Sequence, residues 1–399
     1  MNFLSKWFRA SKTDDQMAYS AKSAPRHMMQ AVTPTAAKHT PKKYENLSRE
    51  GYGHNVIAHR AINMVARGVA SIPLQLYQKG ERLLSHPLLD LLRRPNPLQK
   101  NTALLYTMTG YYLIAGNSYL LSVGPEQAPP CELWLLRPDS VGLKFDQQNM
   151  LTHYEQRIGA KNRQFDKASV LHWKTFNPLN EWQGMAPLEA AATAVDIHNE
   201  GSRWNLALIQ NGGCPSGILY QENAAEPLTE AQFNRLKQEV NDHYTGAVNA
   251  GRPLLLEGGL RWQDMSVSPS DMDWLEAKNM ASREIAMAFG VPAQLVGIPD
   301  SQTYANMAEA RLSLWEETIL PLSAELLDHL NGWLVPKFGA DLTLKWDLEA
   351  VPALDQKRSR RLERLNSLNF MTINEKRAAI GLPPLPDGQG GFSVGKGEI

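Results

Sequence analysis

The chain has 399 residues, which is enough for two or three domains of ordinary size with buried cores. Lysine plus arginine and aspartate plus glutamate both number 41, so the formal net charge is zero. A protein that holds DNA through static phosphate contacts normally carries a basic excess, because each neutralised phosphate adds salt-dependent affinity. The composition therefore argues against a static DNA clamp, and on its own it fits a neutral protein that never meets nucleic acid.

Residues 1–50 are predicted to form a flexible basic arm. Lysine and arginine outnumber aspartate and glutamate there, and few large apolar residues follow Phe8. Two interpretations stay open: the arm contacts nucleic acid or a scaffold protein, or it is an unstructured tail without a partner.

Residues 51–186 are predicted to form an α+β domain. The apolar spacing predicts a helix over 54–70 and a strand over 74–78. The most apolar stretch, residues 104–123, holds too many polar residues and glycines for a good membrane span, so we predict a helix ending at Ala115 and a strand over 118–123. Further strands follow up to residue 176. Their aromatic residues are predicted to pack in the core or at a subunit interface: Trp134, Tyr154 and Trp173.

The second half alternates long helices with a short insert. A helix is predicted over 187–212, stopped by two glycines. A strand over 216–220, a helix over 229–244 with a Thr229–Gln232 capping box, and strands over 254–257 and 260–267 make a β-α-β-β insert. A helix then ends near Phe289, and a loop over 292–307 leads to a second long helix broken by Pro321. A late strand over 341–348, a basic helix and a helix capped by Thr372 complete the chain.

The chain carries no recognisable catalytic, nucleotide-binding or cofactor motif. It has no Walker loop, HExxH, GxSxG, paired-cysteine motif or GxGxxG. The two cysteines, Cys131 and Cys214, lie far apart and fit a reduced cytoplasmic compartment. Asp271 and Asp273 could suit a metal, but acids at a helix start more simply favour the helix dipole. We therefore expect no enzyme, no cofactor and no metal.

Several sequence motifs occur in a fixed order. EGGL, SPSDMDWLEAK, REIAMAFGVPAQLVG and TYANMAEA lie between residues 257 and 310, and NVIAHRAINMVARGVASIPLQLY, HPLLDLLRRPNP, GMAPLEAAATA and NGGCPSG precede them. Together they resemble the portal protein family of siphovirus-type tailed phages and gene transfer agents, over about residues 52–387. Ordered matches along one chain are more specific than any single motif.

The resemblance implies a portal fold built from named parts. They are a wing (51–186), a stem helix (187–213), a clip (214–268), a second stem helix (269–291), a tunnel loop (292–308), a long helix with a strand returning to the wing (309–350), a helical crown (351–386) and a flexible tail (387–399).

Three sets of candidate residues follow from this plan. Neutral side chains of the tunnel loop would touch DNA in the channel without holding it: Gln294, Leu295, Val296, Ile298, Gln302, Tyr304 and Asn306. Charged clip residues would pair between subunits or meet a packaging motor, or simply form a solvated face: Arg235, Glu239, Arg252, Glu257 and Arg261. Basic crown residues would face packaged DNA or, again, solvent: Lys357, Arg358, Arg361 and Arg364.

The family resemblance implies a ring, with twelve subunits, at one capsid vertex. Double-stranded DNA would pass through it without sequence readout, during packaging and ejection. The implied partners are other copies of the chain, the terminase large subunit that supplies the energy, the major capsid protein and a head–tail adaptor, with no membrane. Two alternatives come from other classes: an enzyme acting on nucleic acid, and a monomeric DNA-binding adaptor, for which binding should depend steeply on salt.

Overall fold

Helices and antiparallel sheets alternate along the chain in the computed structural model, as the α+β prediction requires. The structure describes residues 39–125, 128–210, 217–221, 229–244, 260–264, 274–298, 304–368 and 370–386. The predicted tail, Asp271, Asp273, Cys214 and most of the predicted arm lie outside these ranges. The α-helices are α1 (Tyr44–Asn46), α2 (Val56–Ala70), α3 (Pro87–Arg93), α4 (Asn101–Ala115), α5 (Pro187–Ala190), α6 (Ala192–Gln210), α7 (Glu230–Tyr244), α8 (Trp274–Ala288), α9 (Tyr304–Ser313), α10 (Leu320–Trp333), α11 (Asp355–Ser367) and α12 (Ile373–Ala379).

The strands form four antiparallel groups. They are β1 (Leu74–Gln78), β2 (Glu81–Leu83), β3 (Asn117–Val123), β4 (Glu132–Leu136), β5 (Val141–Phe145), β6 (Leu151–Ile158), β7 (Lys161–Asp166), β8 (Val170–Lys174), β9 (Gly217–Gln221), β10 (Leu260–Asp264) and β11 (Leu342–Trp346). Their orders are β11-β1-β2, β4-β3-β8, β5-β6-β7 and β10-β9. The predicted late strand is confirmed as β11, which pairs with β1 so that Trp346 lies opposite Leu74.

Helix α2 shows how local sequence determines where a helix begins. Asn55 caps it, because the Oδ1 atom accepts hydrogen bonds from the backbone N–H groups of Ile57 and Ala58 at 3.1 and 3.0 Å. Its buried face, which includes Ile62 and Val65, packs against α4. The helix ends just before Ile72 and Pro73, as the sequence predicts.

One large hydrophobic core joins α2, α4, the end of α8 and α10 to the sheets. Trp173 is fully buried there and stacks on Tyr112 with 4.0 Å between the ring centroids. A smaller cluster holds Tyr119 and Tyr154, with Trp134 packed beside them. The predicted packing role of Trp134, Tyr154 and Trp173 is therefore confirmed.

Two long helices depart from their predicted shape. The helix predicted over 187–212 breaks at Ala191 into α5 and α6. The second long helix runs from α9 to α10 through a π-helical turn, Leu314–Ile319, next to Pro321. Proline lacks a backbone N–H and cannot make the usual helical bond, so the regular ladder is interrupted there.

Strand β7 was not predicted at all. Its sequence, KNRQFD, lacks apolar alternation, and it forms because it pairs with β6 across the turn at Gly159.

Candidate functional site

Helix α6 begins in the hydrophobic core and runs out of it, and helix α8 runs back into the core. The first half of α6 is buried, at Val195 and Asn199 among others, whereas Trp204 to Gln210 are half-buried or exposed. Helix α8 has the opposite pattern, with exposed residues at its start and buried Ile285 near its end. Since the two helices contact each other, they run side by side in opposite directions.

Both helices carry large exposed apolar side chains, and some of them lie beside the buried residues of the same helix. On α6 these are Ile197, Leu206 and Ile209, with Trp204 at the border, and on α8 they are Leu275, Met280 and Met287. The sequence shows a series of apolar residues along this helix and just after it: Leu275, Met280, Ile285, Met287 and Phe289. Of these, only Ile285 and Phe289 are buried. Exposed apolar side chains in one region mark a surface that another molecule covers.

A buried polar cluster fixes the point where α6 leaves the core. The Nδ2 atom of Asn55 donates to Nδ1 of His198 and to Oδ1 of Asn199, at 3.2 and 3.0 Å. Burial, together with the nearby charge of Lys278, lowers the pKa of His198, so its ring is neutral and Nδ1 can accept the bond. The sequence analysis started this helix at residue 54 and so missed Asn55 as its cap, and nothing in the sequence pointed to the two partners on α6.

The connection after α8 is anchored at its first residues. Phe289 and Val291 are buried, and Gly290 adopts a left-handed conformation with φ of 64°. The Oγ1 atom of Thr318, from the π-helical turn, donates to the carbonyl oxygen of Gly290 at 2.6 Å. A Cβ on Gly290 would lie 2.5 Å from this hydroxyl, so a side chain there would break the anchor.

The predicted tunnel-loop residues fall into different environments. Leu295 and Val296 lie in a short 3-10 turn, Ala293–Val296, and pack half-buried against the core. Gln294 is half-buried, and Asn306 is exposed in the first turn of α9, which begins at Tyr304. Gln302 lies outside the described residues.

The prediction for Ile298 is wrong. Its side chain is only 4% exposed, and it follows a left-handed turn at Gly297 with φ of 86°. Ile298 therefore anchors the loop and offers no side chain to a channel.

The insert between α6 and α8 contains β9, α7 and β10. The predicted capping box is present, since Thr229 Oγ1 accepts from the backbone N–H of Gln232 and the Gln232 side chain accepts from Thr229. Arg235 and Glu239 lie exposed on α7, and Arg261 is exposed on β10. Arg252, Glu257 and the predicted strand over 254–257 lie outside the described residues.

Three of the four basic candidates near the C-terminus make bonds within the subunit. Lys357 pairs with Glu316 of the π-helical turn. Arg358 pairs with Glu349 at 3.0 Å and Asp355 at 2.8 Å, and it also donates to the carbonyl oxygen of Val351.

Arg361 donates to the carbonyl oxygen of Ala379 near the end of α12, while Arg364 is exposed. The basic residues of α11 thus hold this part of the fold together, and Arg364 is the candidate whose charge is most available to another molecule.

Within the described ranges, no group of three or more histidine, cysteine, aspartate or glutamate residues is arranged to hold a metal ion. None of the helices in the described residues is both long and apolar enough to span a bilayer.

The phage portal protein family model matches residues 57–381, which include every helix and strand from α3 to α12. The chain belongs to the phage portal protein family. A Rickettsia bellii protein described as uncharacterized is 41% identical over 85% of this chain and 89% of its own length. The portal protein of Enterobacteria phage HK97 is 23% identical over 82% of this chain and 79% of its own length.

A solved structure also matches the fold. The chain in the neck of a native gene transfer agent particle, computed with C12 symmetry, is 39% identical. The match covers 87% of this chain and 95% of that chain, with a TM-score of 0.68. The portal fold expected from the ordered motifs is therefore confirmed.

Proposed function

We propose that this chain is the subunit of a portal ring, the head–tail connector at one capsid vertex through which DNA is packaged and ejected. The observation that carries the proposal is the portal-family match over residues 57–381. The match to the neck of a gene transfer agent particle supports the location in a virion or a similar particle.

The proposed assembly is a closed ring of twelve subunits, supported by the C12 symmetry of the matching neck. In a cyclic ring each subunit uses two different surfaces, one for each neighbour. The exposed apolar side chains on α6 and α8 suit this arrangement, because subunits of a permanent assembly cover such surfaces. We assign α6 and α8 to the stem and the β9–α7–β10 insert to the clip.

The proposed mechanism is positional. Helix α6 has 19 residues and spans about 28 Å, so stems from twelve subunits can enclose a channel of substantial length. The segment between α8 and α9 would line its narrow part, and the described stretch 291–298 contains no ionisable side chain. Neutral groups such as Gln294 and Asn306 would touch phosphates without retaining them, which suits a duplex that has to move.

Other parts of the proposal rest on family resemblance. They are contacts with the terminase large subunit, the major capsid protein and a head–tail adaptor, DNA contact by the crown, and assembly in the host cytoplasm. The portal family is structural, and we propose that this chain performs no catalysis. Family membership favours neither a nucleic-acid-processing enzyme nor a monomeric DNA-binding adaptor.

The deciding experiment is native mass spectrometry of the purified chain combined with negative-stain imaging. A closed ring with a central hole wide enough for duplex DNA is the expected result. A stable dimer with a closed two-fold interface would contradict the proposal, because a two-fold contact uses up the surfaces that a ring requires. Turnover of nucleic acid by the purified chain, dependent on a metal or nucleotide, would favour the enzyme instead.

A further inference from the structure

Two large apolar side chains project from a loop that is held rigid by its own hydrogen bonds. Phe176 is 84% exposed and Leu179 is 91% exposed, the largest exposures among the large hydrophobic side chains of the described residues. Both lie in residues 175–184, between β8 and α5, which we call the Phe176 loop. Isolated exposed apolar residues are ordinary on a protein surface, but a rigid pair of this exposure is a ready-made anchor for a partner.

The rigidity of the Phe176 loop comes from asparagine side chains that cap its turns. The Oδ1 atom of Asn177 accepts from the backbone N–H of Leu179 at 2.9 Å, and its Nδ2 atom donates to the carbonyl oxygen of Gln183 at 2.8 Å. The Oδ1 atom of Asn180 accepts from the backbone N–H groups of Trp182 and Gln183 at 2.8 and 3.1 Å. A loop ordered before binding loses little conformational entropy when it docks.

The base of the Phe176 loop is fixed to the C-terminal end of α4. The backbone N–H of Gly184 donates to Oδ1 of Asn117 at 2.8 Å, and Thr175 N–H donates to the carbonyl oxygen of Gly116 at 2.9 Å. A Cβ on Gly184 would lie only 2.0 Å from that carbonyl oxygen, so this close approach requires glycine.

A complementary cleft opens at the other end of α4. Its volume is about 350 Å³, and Asn101 and Thr102 at the start of α4 contribute to its wall. Its wall also holds four leucines, of which Leu89 and Leu92 are nearly buried, and several polar groups: Leu83, Leu84, Leu89, Leu92, Ser71, Gln75, Arg82 and Arg93. Leu84 is 77% exposed at the rim. We call this the Leu84 cleft.

Loop and cleft match in chemistry and cannot meet within one subunit. The loop offers Phe176 and Leu179 together with exposed Glu181, whereas the cleft offers leucines together with Arg82. Arg93 already pairs with Asp90 at 3.5 Å. Within the described residues, neither Glu181 nor Arg82 has an ion-pair partner. Helix α4 has 15 residues and separates the two features by about 22 Å.

Two complementary surfaces at separate places on one molecule are what a head-to-tail contact between identical subunits requires. We propose that the Phe176 loop of one subunit docks in the Leu84 cleft of the next subunit around the ring. This inference rests on the proposed ring, and it names the contact that links neighbouring subunits outside the α6–α8 helix pair. The leucine-lined cleft buries the two apolar side chains, and Glu181 meets an arginine at the rim.

The contact is tested by crosslinking two populations of the full chain. Both carry Cys131→Ser and Cys214→Ser, one also carries Leu179→Cys and the other Leu84→Cys. A short bismaleimide should join the two populations in mixed rings, and neither population should crosslink alone. The matched control replaces Leu179→Cys by Met150→Cys, a 59% exposed residue in the turn between β5 and β6, and should give no product.

A second test removes the anchor. The double variant Phe176→Ser, Leu179→Ser should fold like the natural chain, because these side chains are almost fully exposed. It should raise the chain concentration at which half the protein is in rings by about tenfold or more, as loss of interface anchors does. Met150→Ser should leave that concentration unchanged. Glu181→Arg should weaken the ring, and adding Arg82→Glu should restore it.

The outcomes separate this contact from the ring itself. Rings that form without the Leu179–Leu84 crosslink, or that tolerate the double serine variant, overturn the loop-and-cleft contact and leave the portal proposal intact. Crosslinking of Leu179→Cys to a different protein in assembled particles overturns it as well. A natural chain that forms closed two-fold dimers counts against the portal proposal itself.

Discussion

The Nδ2 atom of Asn55 lies 3.0 Å from Oδ1 of Asn199, which joins the start of α2 to the middle of α6. Asn199 in turn donates to the backbone carbonyl of Glu50 at 2.9 Å, and the Glu50 carboxylate pairs with Arg203 at 2.7 Å. Two segments that are distant in sequence, residues 50–55 and residues 199–203, therefore meet where α6 leaves the core. This cluster fixes the position of α6, which we assign to the wall of the channel.

Asn55→Ala should destabilise the subunit for two reasons. The loss of the helix cap costs about 1 kcal/mol. The buried acceptors on His198 and Asn199 then lack a donor, at a further cost of about 1–3 kcal/mol. A lower urea midpoint, followed by tryptophan fluorescence, is the expected result.

Asn55→Ser is the matched control for this cluster. Serine caps a helix as well as asparagine does, but its hydroxyl is too short to replace the amide that reaches α6. We expect a urea midpoint between those of the natural chain and Asn55→Ala. The difference between the two variants then measures the contribution of the helix cap. Equal stability of the natural chain and Asn55→Ser would show that the bonds to α6 contribute nothing.

Acid should destabilise the subunit through His172. Burial, with smaller contributions from the charges of Lys174 and His329, lowers the pKa of His172 to about 3 from the ordinary 6.5. Protons therefore bind the unfolded chain preferentially between these values. The contribution of neutral His172 to the free energy of unfolding is fully present above about pH 6.5. It decreases as the pH falls, by about 2 kcal/mol between pH 6.5 and pH 5.

His172→Gln should flatten this pH dependence. Glutamine can still donate to Oδ1 of Asn117, which lies 2.9 Å from the histidine Nε2, but it does not titrate. The fall in urea midpoint between pH 7 and pH 5 should be smaller than in the natural chain. His198, whose pKa is also lowered, leaves a residual slope of the same sign. His39→Gln, at an exposed position, controls for the loss of a histidine as such.

Glu325 supplies the acceptor for a fully buried indole. The Nε1 atom of Trp173 donates to Oε1 of Glu325 at 2.9 Å, and the Tyr112 hydroxyl donates to Oε2 at 3.4 Å. Glu325→Ala leaves the indole N–H unpaired in the core, which should cost about 1–3 kcal/mol in urea denaturation. Glu325→Gln retains a carbonyl acceptor and should lose less. If both variants matched the natural chain, the bond would carry no net stability.

Local signals in the sequence predicted much of the fold. Strand β1 has the predicted bounds, and the predicted capping box at Thr229 and the predicted cap at Thr372 both form. These features depend on residues that are close together in the sequence, so a short stretch of sequence is enough to predict them. The ordered motifs added the portal fold, which periodicity alone does not specify.

Features that depend on distant partners were missed. The break at Ala191 and the burial of Ile298 have no signal in the neighbouring sequence. The exposure of Met280 and Met287 was also missed. The sequence shows that a side chain is apolar, but it does not show whether its own subunit or another molecule covers it. The bond from Asn55 to His198 spans 143 residues and has no local signature.

Introducing positive charge near the proposed channel should slow DNA. Gln294→Lys with Asn306→Lys places two ammonium groups per subunit on the connection between α8 and α9, where the structure leaves Gln294 half-buried and Asn306 exposed. Each phosphate that a lysine neutralises releases counterions and steepens the dependence of DNA affinity on salt by about 0.9 in a logarithmic plot. We expect slower packaging and DNA retention by isolated rings that falls as salt rises.

The control for the lysine variant is Met150→Lys, which adds a positive charge in the turn between β5 and β6, away from this connection. It should leave packaging rate and salt dependence unchanged. Ile298→Lys is expected to act differently from both, because it forces a charge into a site that is 4% exposed and should lower stability before any effect on DNA is reached. If Gln294→Lys with Asn306→Lys packaged DNA at the natural rate and with the natural salt dependence, this connection would not lie along the path of the DNA.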